Sequence, residues 1–169
     1  MARTILWVSV IRTFSHEHFM KEALKEARKA ALKGEVPVGA VVVHSGKVIA
    51  RGHNLTESKK NALTHAEMLA MAKAAKKLRS WRLIDCDLYV TLEPCTMCGG
   101  GIVLSRIRHL YYGAADPKAG AVESTARVLD NPKLNHRVHM TGGILKEDCS
   151  KALSDFFREV RKRARSVGM

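Results

Sequence analysis

A short apolar segment that runs directly into a helix start constrains the fold of this chain more than any other feature. The segment DLYVTL at 87–92 is mostly apolar, which is typical of a strand buried on both faces. Pro94 follows almost at once, and proline is favoured in the first turn of a helix. Helical segments precede and follow this junction, so strands and helices alternate. Such alternation predicts an α/β fold whose helices cover both faces of a largely buried sheet.

The other predicted elements extend this alternation along the chain. Ser15 can cap the first helix, and two Val- and Ile-rich segments flank Ser45-Gly46 as a hairpin. Because the later strands follow helices, we expect parallel pairing everywhere except in that hairpin. A loop with a short helix is expected over 116–135. The predicted helices cover 15–33, 64–78, 94–105 and 146–165, and the predicted strands cover 38–44, 47–55, 87–92, 107–113 and 137–141.

Length and charge indicate one domain with a polyanionic partner. A chain of 169 residues is typical of a single domain, which we place at 15–169, after a leader at 1–14 that carries no recognisable chemistry. Lys and Arg number 29 against 16 Asp and Glu, a net charge of +13, and such an excess most often serves nucleic acid binding. The closing helix is basic, and its charges either contact phosphates or form a solvated helix end. These charges are Arg158, Arg161, Lys162, Arg163 and Arg165.

The cysteines and the amino-terminal sequence predict a cytoplasmic protein without a membrane partner. The apolar run at 5–11 is too short to span a bilayer, and no small-residue cleavage site follows it. In a reducing compartment a close cysteine pair is more often metal-binding or catalytic than disulfide-bonded.

One histidine and two cysteines have the spacing of a metal site. Cys95 and Cys98 lie three residues apart at a helix start, so both sulfurs share one face, and the helix end favours thiolates. His65 opens another helix and can reach them if the two helix starts face each other. One imidazole and two thiolates suit zinc and leave the fourth tetrahedral position to water, as in catalytic zinc sites.

Glu67 has two interpretations. Two residues after a zinc ligand, its carboxylate can take a proton from the bound water and pass it on, as a general base and then an acid. However, Thr64-x-x-Glu67 is also a capping box, in which the carboxylate would only accept a hydrogen bond from the backbone of Thr64.

The cysteines also leave alternatives open. Cys95-x-x-Cys98 alone could be a thioredoxin-like redox pair. Cys86 or Cys149 could add a fourth thiolate and close the site into a structural zinc clip. We expect instead that Cys86 and Cys149 are small apolar fillers of the core.

These residues resemble the zinc-dependent cytidine/deoxycytidylate deaminase superfamily, in which His-Ala-Glu is followed by Pro-Cys-x-x-Cys. Within it, the sequence is similar to the bacterial tRNA-specific adenosine deaminases from about residue 16 to 165. The further segments that carry this likeness are EVPVGA at 35–40, GHN at 52–54, LEPC at 92–95, DPKAGA at 116–121, LNHRV at 134–138 and SDFFR at 154–158.

The resemblance implies a fold and a reaction. The fold would be the three-layer, cytidine-deaminase-like α/β fold, a mixed five-stranded sheet with helices on both faces. The protein would be a homodimer that converts the wobble adenosine, position 34 of tRNA-Arg(ACG), to inosine. One zinc per chain would sit on His65, Cys95 and Cys98. Water activated there would attack C6 of adenine while Glu67 protonates N1 and then the departing amine.

The resemblance also implies substrate contacts, each of which has a structural alternative. Val36 and Pro37 would wall the base pocket, although Pro37 could simply bend the chain into the first strand. Asn54 would bind the flipped nucleotide and Asp116 its ribose, although both residue types are common in turns. Contacts to neighbouring anticodon-loop nucleotides would come from Asn135, Phe156, Phe157 and Arg158.

Three points remain open from the sequence. Gly99, Gly100 and Gly101 lie inside the zinc-bearing helix, where glycine is unfavourable, which suggests a close approach such as a dimer contact. The same chemistry would serve a deaminase of free cytosine, guanine or nucleosides, which needs no basic surface. A non-catalytic, zinc-clipped RNA-binding module would need neither Glu67 nor an open zinc position.

Overall fold

The computed structural model describes residues 14–166, so the predicted leader lies outside the described residues except for Phe14. Elements are named in chain order and, apart from the short helix α2, which was not predicted, agree with the predicted helices and strands to within a few residues. Among the described residues, no helix is long and apolar enough to cross a membrane. The helices are α1 (His16–Leu32), α2 (Thr56–Lys59), α3 (Ala66–Leu78), α4 (Thr96–Leu104) and α5 (Lys146–Ser166), and the strands are β1 (Gly39–His44), β2 (Lys47–His53), β3 (Cys86–Leu92), β4 (His109–Ala114) and β5 (His139–Thr141).

The five strands form one mixed sheet in the order β2-β1-β3-β4-β5. β3, β4 and β5 pair in parallel, as predicted, and β1 and β2 form the antiparallel hairpin. The expectation of parallel pairing is wrong for β1 and β3, which are antiparallel. The chain leaves β2, crosses over β1 through α3 and enters β3 on the far side, so β2 and β3 run the same way with the reversed strand β1 between them.

Alternate residues of the strands build two separate cores. Val42, Leu88 and Val90 face α3 and α4, where they pack against buried alanines and Ile102. On the other face, Val41 and Tyr89 pack against α1 and α5. The structure therefore has the expected three layers, two of helices around one of strands.

Two glycines let the helices approach the sheet closely. A Cβ atom on Gly39 would lie 2.1 Å from the carbonyl oxygen of Ala23 in α1, and one on Gly52 would lie 2.2 Å from that of Ala66 in α3. The first turn of α3 therefore rests directly on β2 at a position where only glycine fits. This contact positions the neighbouring residues His65 and Glu67.

Both metal-binding helices begin later than predicted. His65, and not Thr64, is the N-cap residue of α3, and Cys95 is that of α4, so Pro94 lies before the helix instead of in its first turn. Both cap residues have extended backbones, and Cys95 forms an isolated antiparallel bridge with Gly120. An N-cap side chain projects beyond the helix end, which allows His65 and Cys95 to meet.

A buried carboxylate outside the predicted site fixes the short helix α2. Glu35 is fully buried and accepts hydrogen bonds from the backbone N–H groups of Glu57 and Ser58, at 3.0 and 2.6 Å. Burial alone would raise the pKa of Glu35, but hydrogen bonding to the side chain of Ser58, together with these backbone hydrogen bonds, outweighs it and holds the pKa below its ordinary value of 4.5.

This contact predicts a pH-dependent contribution to stability. Since the pKa of Glu35 is lower in the folded state, its ionised form stabilises the protein above about pH 4.5, and the contribution is lost as pH falls through the folded-state pKa. Glu35→Gln should lower the free energy of unfolding at pH 7 by about 1–3 kcal/mol. Denaturant titrations should show this difference shrinking towards pH 3.

The matched control is Glu159→Gln, the same substitution at a carboxylate that is 55% exposed. It should change the free energy of unfolding by less than about 0.5 kcal/mol. A destabilisation by Glu35→Gln that stays constant from pH 7 to pH 3 would contradict a role for the charge.

Candidate active site

His65, Cys95 and Cys98 converge at one end of the sheet. The Nδ1 atom of His65 lies 3.6 Å from the Sγ of Cys95 and 3.5 Å from the Sγ of Cys98. Tetrahedral zinc with ordinary Zn–N and Zn–S bonds separates these donor atoms by about 3.6 Å. The donor set and its spacing therefore fit a zinc ion with three protein ligands. Within 14–166 this is the only group of three or more His, Cys, Asp or Glu side chains that could hold a metal.

The protonation states of His65, Cys95 and Cys98 are coupled through their hydrogen bonds. Hydrogen bonds from Cys98 and His65 lower the pKa of Cys95 to about 3. The same hydrogen bond to Cys95, together with burial, raises the pKa of Cys98. The hydrogen bond to Cys95 raises the pKa of His65 despite its partial burial. Without a cation the thiolate of Cys95 is thus paired with the protonated groups of His65 and Cys98, whereas zinc takes two thiolates and a neutral imidazole.

The other two cysteines are not part of this cluster. Cys86 is buried in the core against α3 and α4, and Cys149 is buried in the core on the opposite face of the sheet. Their positions confirm the expectation of apolar fillers, and the alternative of a closed four-ligand clip is wrong. The presence of His65 beside both sulfurs favours a metal site over a redox pair.

Glu67 lies in the first turn of α3 and is 4% exposed. The capping-box alternative is wrong, because His65 is the N-cap and the hydroxyl of Thr64 instead donates to the carbonyl of Asn61. Burial raises the pKa of Glu67, since it penalises the charged carboxylate. A carboxyl group with a raised pKa beside a metal site is suited to carrying a proton.

A pocket of about 200 Å³ opens over these residues. This is smaller than the roughly 300–1,000 Å³ of sites that enclose drug-sized ligands, and it suits one flat ring. Glu67 and the metal ligands His65 and Cys95 line it, while Cys98 is buried beneath. The other lining residues are Val36, Val38, Asn54, Ala66, Leu92, Glu93, Asp116 and Ala119.

Asn54 and Asp116 combine a turn role with a position in the pocket. The Oδ1 of Asn54 accepts a hydrogen bond of 2.7 Å from the Thr56 hydroxyl, which orients the amide. The Oδ1 of Asp116 accepts hydrogen bonds from the N–H groups of Lys118 and Ala119, at 3.0 and 3.1 Å. Each side chain is held by its own loop at the edge of the pocket.

The remaining predicted site residues lie outside this pocket. Pro37 and Phe156 line a second cavity of about 1020 Å³ between α1 and α5. Pro37 directly follows Val36, which lines the pocket. Phe157 is 42% exposed, and Arg158 forms an ion pair with Asp155. Asn135 is exposed and accepts a hydrogen bond from Arg106. The structure therefore does not bring these residues together with the metal ligands.

Glu93 is a site residue that the sequence analysis missed. It lines the pocket two residues before Cys95 and is 3% exposed. Burial alone would raise its pKa, but hydrogen bonds from Ser124, Glu123 and Asp116 outweigh this and lower the pKa to about 2. An acidic residue between a buried strand and a proline was the available signal, since an acid at such a place needs partners.

Comparisons with known proteins place the chain in a family. A model of the MafB19-like deaminases matches residues 14–161. The tRNA-specific adenosine deaminase of Bacillus subtilis (strain 168) is 49% identical over 151 residues, which cover 89% of this chain and 94% of that protein. The chain belongs to the tRNA-specific adenosine deaminases. The member of this family from Aquifex aeolicus (strain VF5) is 48% identical over 86% of this chain and 95% of its own length.

Solved structures agree with this family. One from work on A-to-I editing by tRNA:A34 deaminases matches with a TM-score of 0.78 and 47% identity, over 80% of this chain and 99% of that chain. A guanine deaminase of Bacillus subtilis matches with a TM-score of 0.59 and 31% identity, over 88% of this chain and 95% of that chain. The predicted cytidine-deaminase-like fold is confirmed, as is the zinc site of His65, Cys95 and Cys98.

The zinc site predicts different outcomes for two buried cysteines. Cys98→Ser should cost the protein most of its zinc, because it replaces a thiolate ligand. Cys86→Ser makes the same change in the core, away from the site, and should leave about one zinc per chain. Elemental analysis of the purified variants measures both. Equal zinc contents in the two variants would contradict the assignment.

Proposed function

We propose that this chain is a hydrolase that deaminates adenosine 34, at the wobble position of a tRNA anticodon, to inosine. The observation that carries the proposal is the buried carboxyl group of Glu67 beside a three-ligand zinc set in a pocket that suits one base. The family of tRNA-specific adenosine deaminases supports the substrate, and so does the matching tRNA:A34 deaminase structure. A tRNA substrate is consistent with the cytoplasmic location expected from the reduced cysteines.

The reaction follows from the pocket. Zinc held by His65, Cys95 and Cys98 would act as a Lewis acid. It would lower the pKa of a bound water molecule into the neutral pH range. Glu67 accepts a proton from the water that attacks C6 and delivers it to N1 of adenine. Glu67 then takes the second proton from the new hydroxyl group on C6 and gives it to the amine, so that the C6–N bond breaks, ammonia leaves and the C6 carbonyl of inosine forms. The raised pKa of Glu67 suits both steps, because a proton carrier works best with a pKa near the working pH.

The pocket walls would orient the nucleotide. Val36 and Leu92 offer apolar surface to the faces of the ring. The hydroxyl of Thr56 fixes the amide oxygen of Asn54, so its NH₂ group is left to donate to the flipped nucleotide. Asp116 would accept a hydrogen bond from the ribose through Oδ2, because Oδ1 already serves its own loop.

The anticodon loop of tRNA-Arg would continue from the pocket into the second cavity. Val36 lines the pocket and the next residue, Pro37, lines the second cavity. The pocket and the cavity therefore adjoin the same chain segment. Phe156 lines that cavity and Phe157 is exposed beside it in the chain, so either ring can stack on a splayed base. Arg158 and Asn135 would provide polar contacts to the same loop.

We also propose that the protein is a homodimer through the exposed face of α4. Met97 is half-buried and Leu104 is 71% exposed, and both lie on one helix face with Gly100, around which the space is open. Gly99 and Gly101 instead face Val128 and Met68 of the same chain. A partner helix could therefore approach at Gly100.

Glu67→Gln should abolish inosine formation and leave the zinc content near one per chain. The amide keeps the size of the side chain but cannot shuttle a proton. The assay is sequencing of an unmodified tRNA-Arg(ACG) transcript for inosine, with free adenosine, cytosine and guanine as parallel substrates. Turnover of one of these free compounds without inosine formation in the tRNA would overturn the proposal in favour of a small-molecule deaminase.

The control for Glu67→Gln is Glu57→Gln, the same change at an exposed carboxylate on α2. It should edit tRNA at the wild-type rate. Editing by Glu67→Gln at that rate would show that Glu67 moves no proton.

The basic end of α5 should account for part of the salt dependence of tRNA binding. Arg161, Arg163 and Arg165 are exposed. Changing all three to Gln should flatten the slope of log K against log salt by up to about 0.7–0.9 for each phosphate that the protein no longer neutralises. Filter binding at several salt concentrations measures the slope.

The matched control removes three exposed cations from another surface, as Lys47→Gln, Lys76→Gln and Lys77→Gln. It should leave the slope nearly unchanged. If both triple variants flatten the salt slope equally, α5 contributes only net charge and the anticodon loop binds elsewhere on the protein.

A further inference from the structure

One buried carboxylate, that of Glu93, accepts five hydrogen bonds from a single loop. The Oε1 atom of Glu93 accepts from the backbone N–H groups of Val122, Glu123 and Ser124, at 3.1, 2.8 and 2.9 Å. Its Oε2 atom accepts from the N–H of Asp116 at 2.9 Å and from the hydroxyl of Ser124 at 2.5 Å. All five donors belong to the loop 116–124, which follows β4.

The backbone of the loop lies directly on this carboxylate. A Cβ atom on Gly120 would come within 2.3 Å of the carboxyl group of Glu93, so only glycine fits there. The N–H of Ala121 donates to the carbonyl of Pro94 at 2.8 Å, and Gly120 bridges to Cys95. The loop is thus bound along the segment 93–95, immediately before the zinc-bearing helix.

The same loop forms one wall of the pocket. It contributes Asp116 and Ala119, while Val36 and Asn54 come from the segments that flank the β1–β2 hairpin. The position of Asp116 therefore depends on how the loop is held, and its backbone N–H is itself one of the five groups bound by Glu93.

We propose that Glu93 is a positioning residue for the deamination reaction: its carboxylate latches the loop 116–124 so that Asp116 meets the ribose of the target nucleotide. The proposal rests on the proposed function for its substrate. Both oxygens of Glu93 are bonded to the loop, so it acts through Asp116. The latch concerns substrate binding, and the proton steps belong to Glu67.

The two oxygens of Glu93 allow the latch to be weakened selectively. In Glu93→Gln one oxygen remains, and it can continue to serve the three N–H groups of residues 122–124. The new NH₂ group then faces Oγ of Ser124, which can accept a hydrogen bond, and the N–H of Asp116, which cannot. The substitution should therefore release Asp116 while most of the loop stays bound.

The test compares Glu93→Gln with Glu17→Gln, the same change at an exposed carboxylate in the first turn of α1, outside the loop. The substrate is an anticodon stem-loop of tRNA-Arg(ACG). We expect Glu93→Gln to raise KM at least tenfold and to change kcat less than threefold, because a contact made equally in ground and transition states affects KM alone. Zinc content should stay near one, and the amide of Asp116 should exchange with solvent at least tenfold faster. Glu17→Gln should match wild type in all four measurements.

Other results would overturn the latch. An unchanged KM would show that substrate binding does not require Glu93 to hold Asp116 in position. A fall in kcat or in zinc content at constant KM would assign Glu93 to the metal centre. If Glu93→Gln does not fold, Ser124→Ala removes a single donor and should raise KM in the same direction by a smaller factor; no rise would overturn the proposal. If wild type does not edit the stem-loop, the proposed function fails, and unchanged amide exchange at Asp116 would separately overturn the latch.

Discussion

The site depends on one topological constraint, which is the single reversed strand β1 inside an otherwise parallel sheet. β2, β3 and β4 run the same way, so their carboxyl ends meet at one edge, and β1 begins at that same edge. Asn54 follows β2, Cys95 follows β3 and Asp116 follows β4, while Val36 and Val38 precede β1. Ligands of open α/β sheets bind at such an edge because loops from several strands converge there. The pocket is a consequence of strand direction.

Two buried carboxyl groups line this pocket, and their surroundings move their pKa values apart. Glu67 lies in a buried site that penalises its charge, so its pKa rises. Glu93 is surrounded by N–H and O–H donors, so its pKa falls to about 2. In the proposed reaction Glu67 exchanges protons, and in the proposed positioning role Glu93 stays charged to hold a loop, so one pocket would contain both kinds of group. Opposite shifts within one site are how a fold separates such roles.

The sequence predicted what local chemistry determines. The metal ligands follow from residue type and spacing, and the helices and strands from their apolar periodicity, because both depend on near neighbours. The antiparallel pairing of β1 with β3 could not be predicted, since it depends on the crossover of α3 over the sheet. Glu93 was missed because its five partners lie 23 to 31 residues further along the chain. The cavity that holds Pro37 and Phe156 likewise arises from the packing of α1 against α5.

In the proposed site, zinc is held by three protein ligands and keeps one position open for water. X-ray absorption at the zinc edge of the purified full chain tests it directly, since sulfur and lighter neighbours scatter differently. We expect two sulfur neighbours, one imidazole nitrogen and one further light atom. Three or four sulfur neighbours would contradict it, because the site would then be closed and structural.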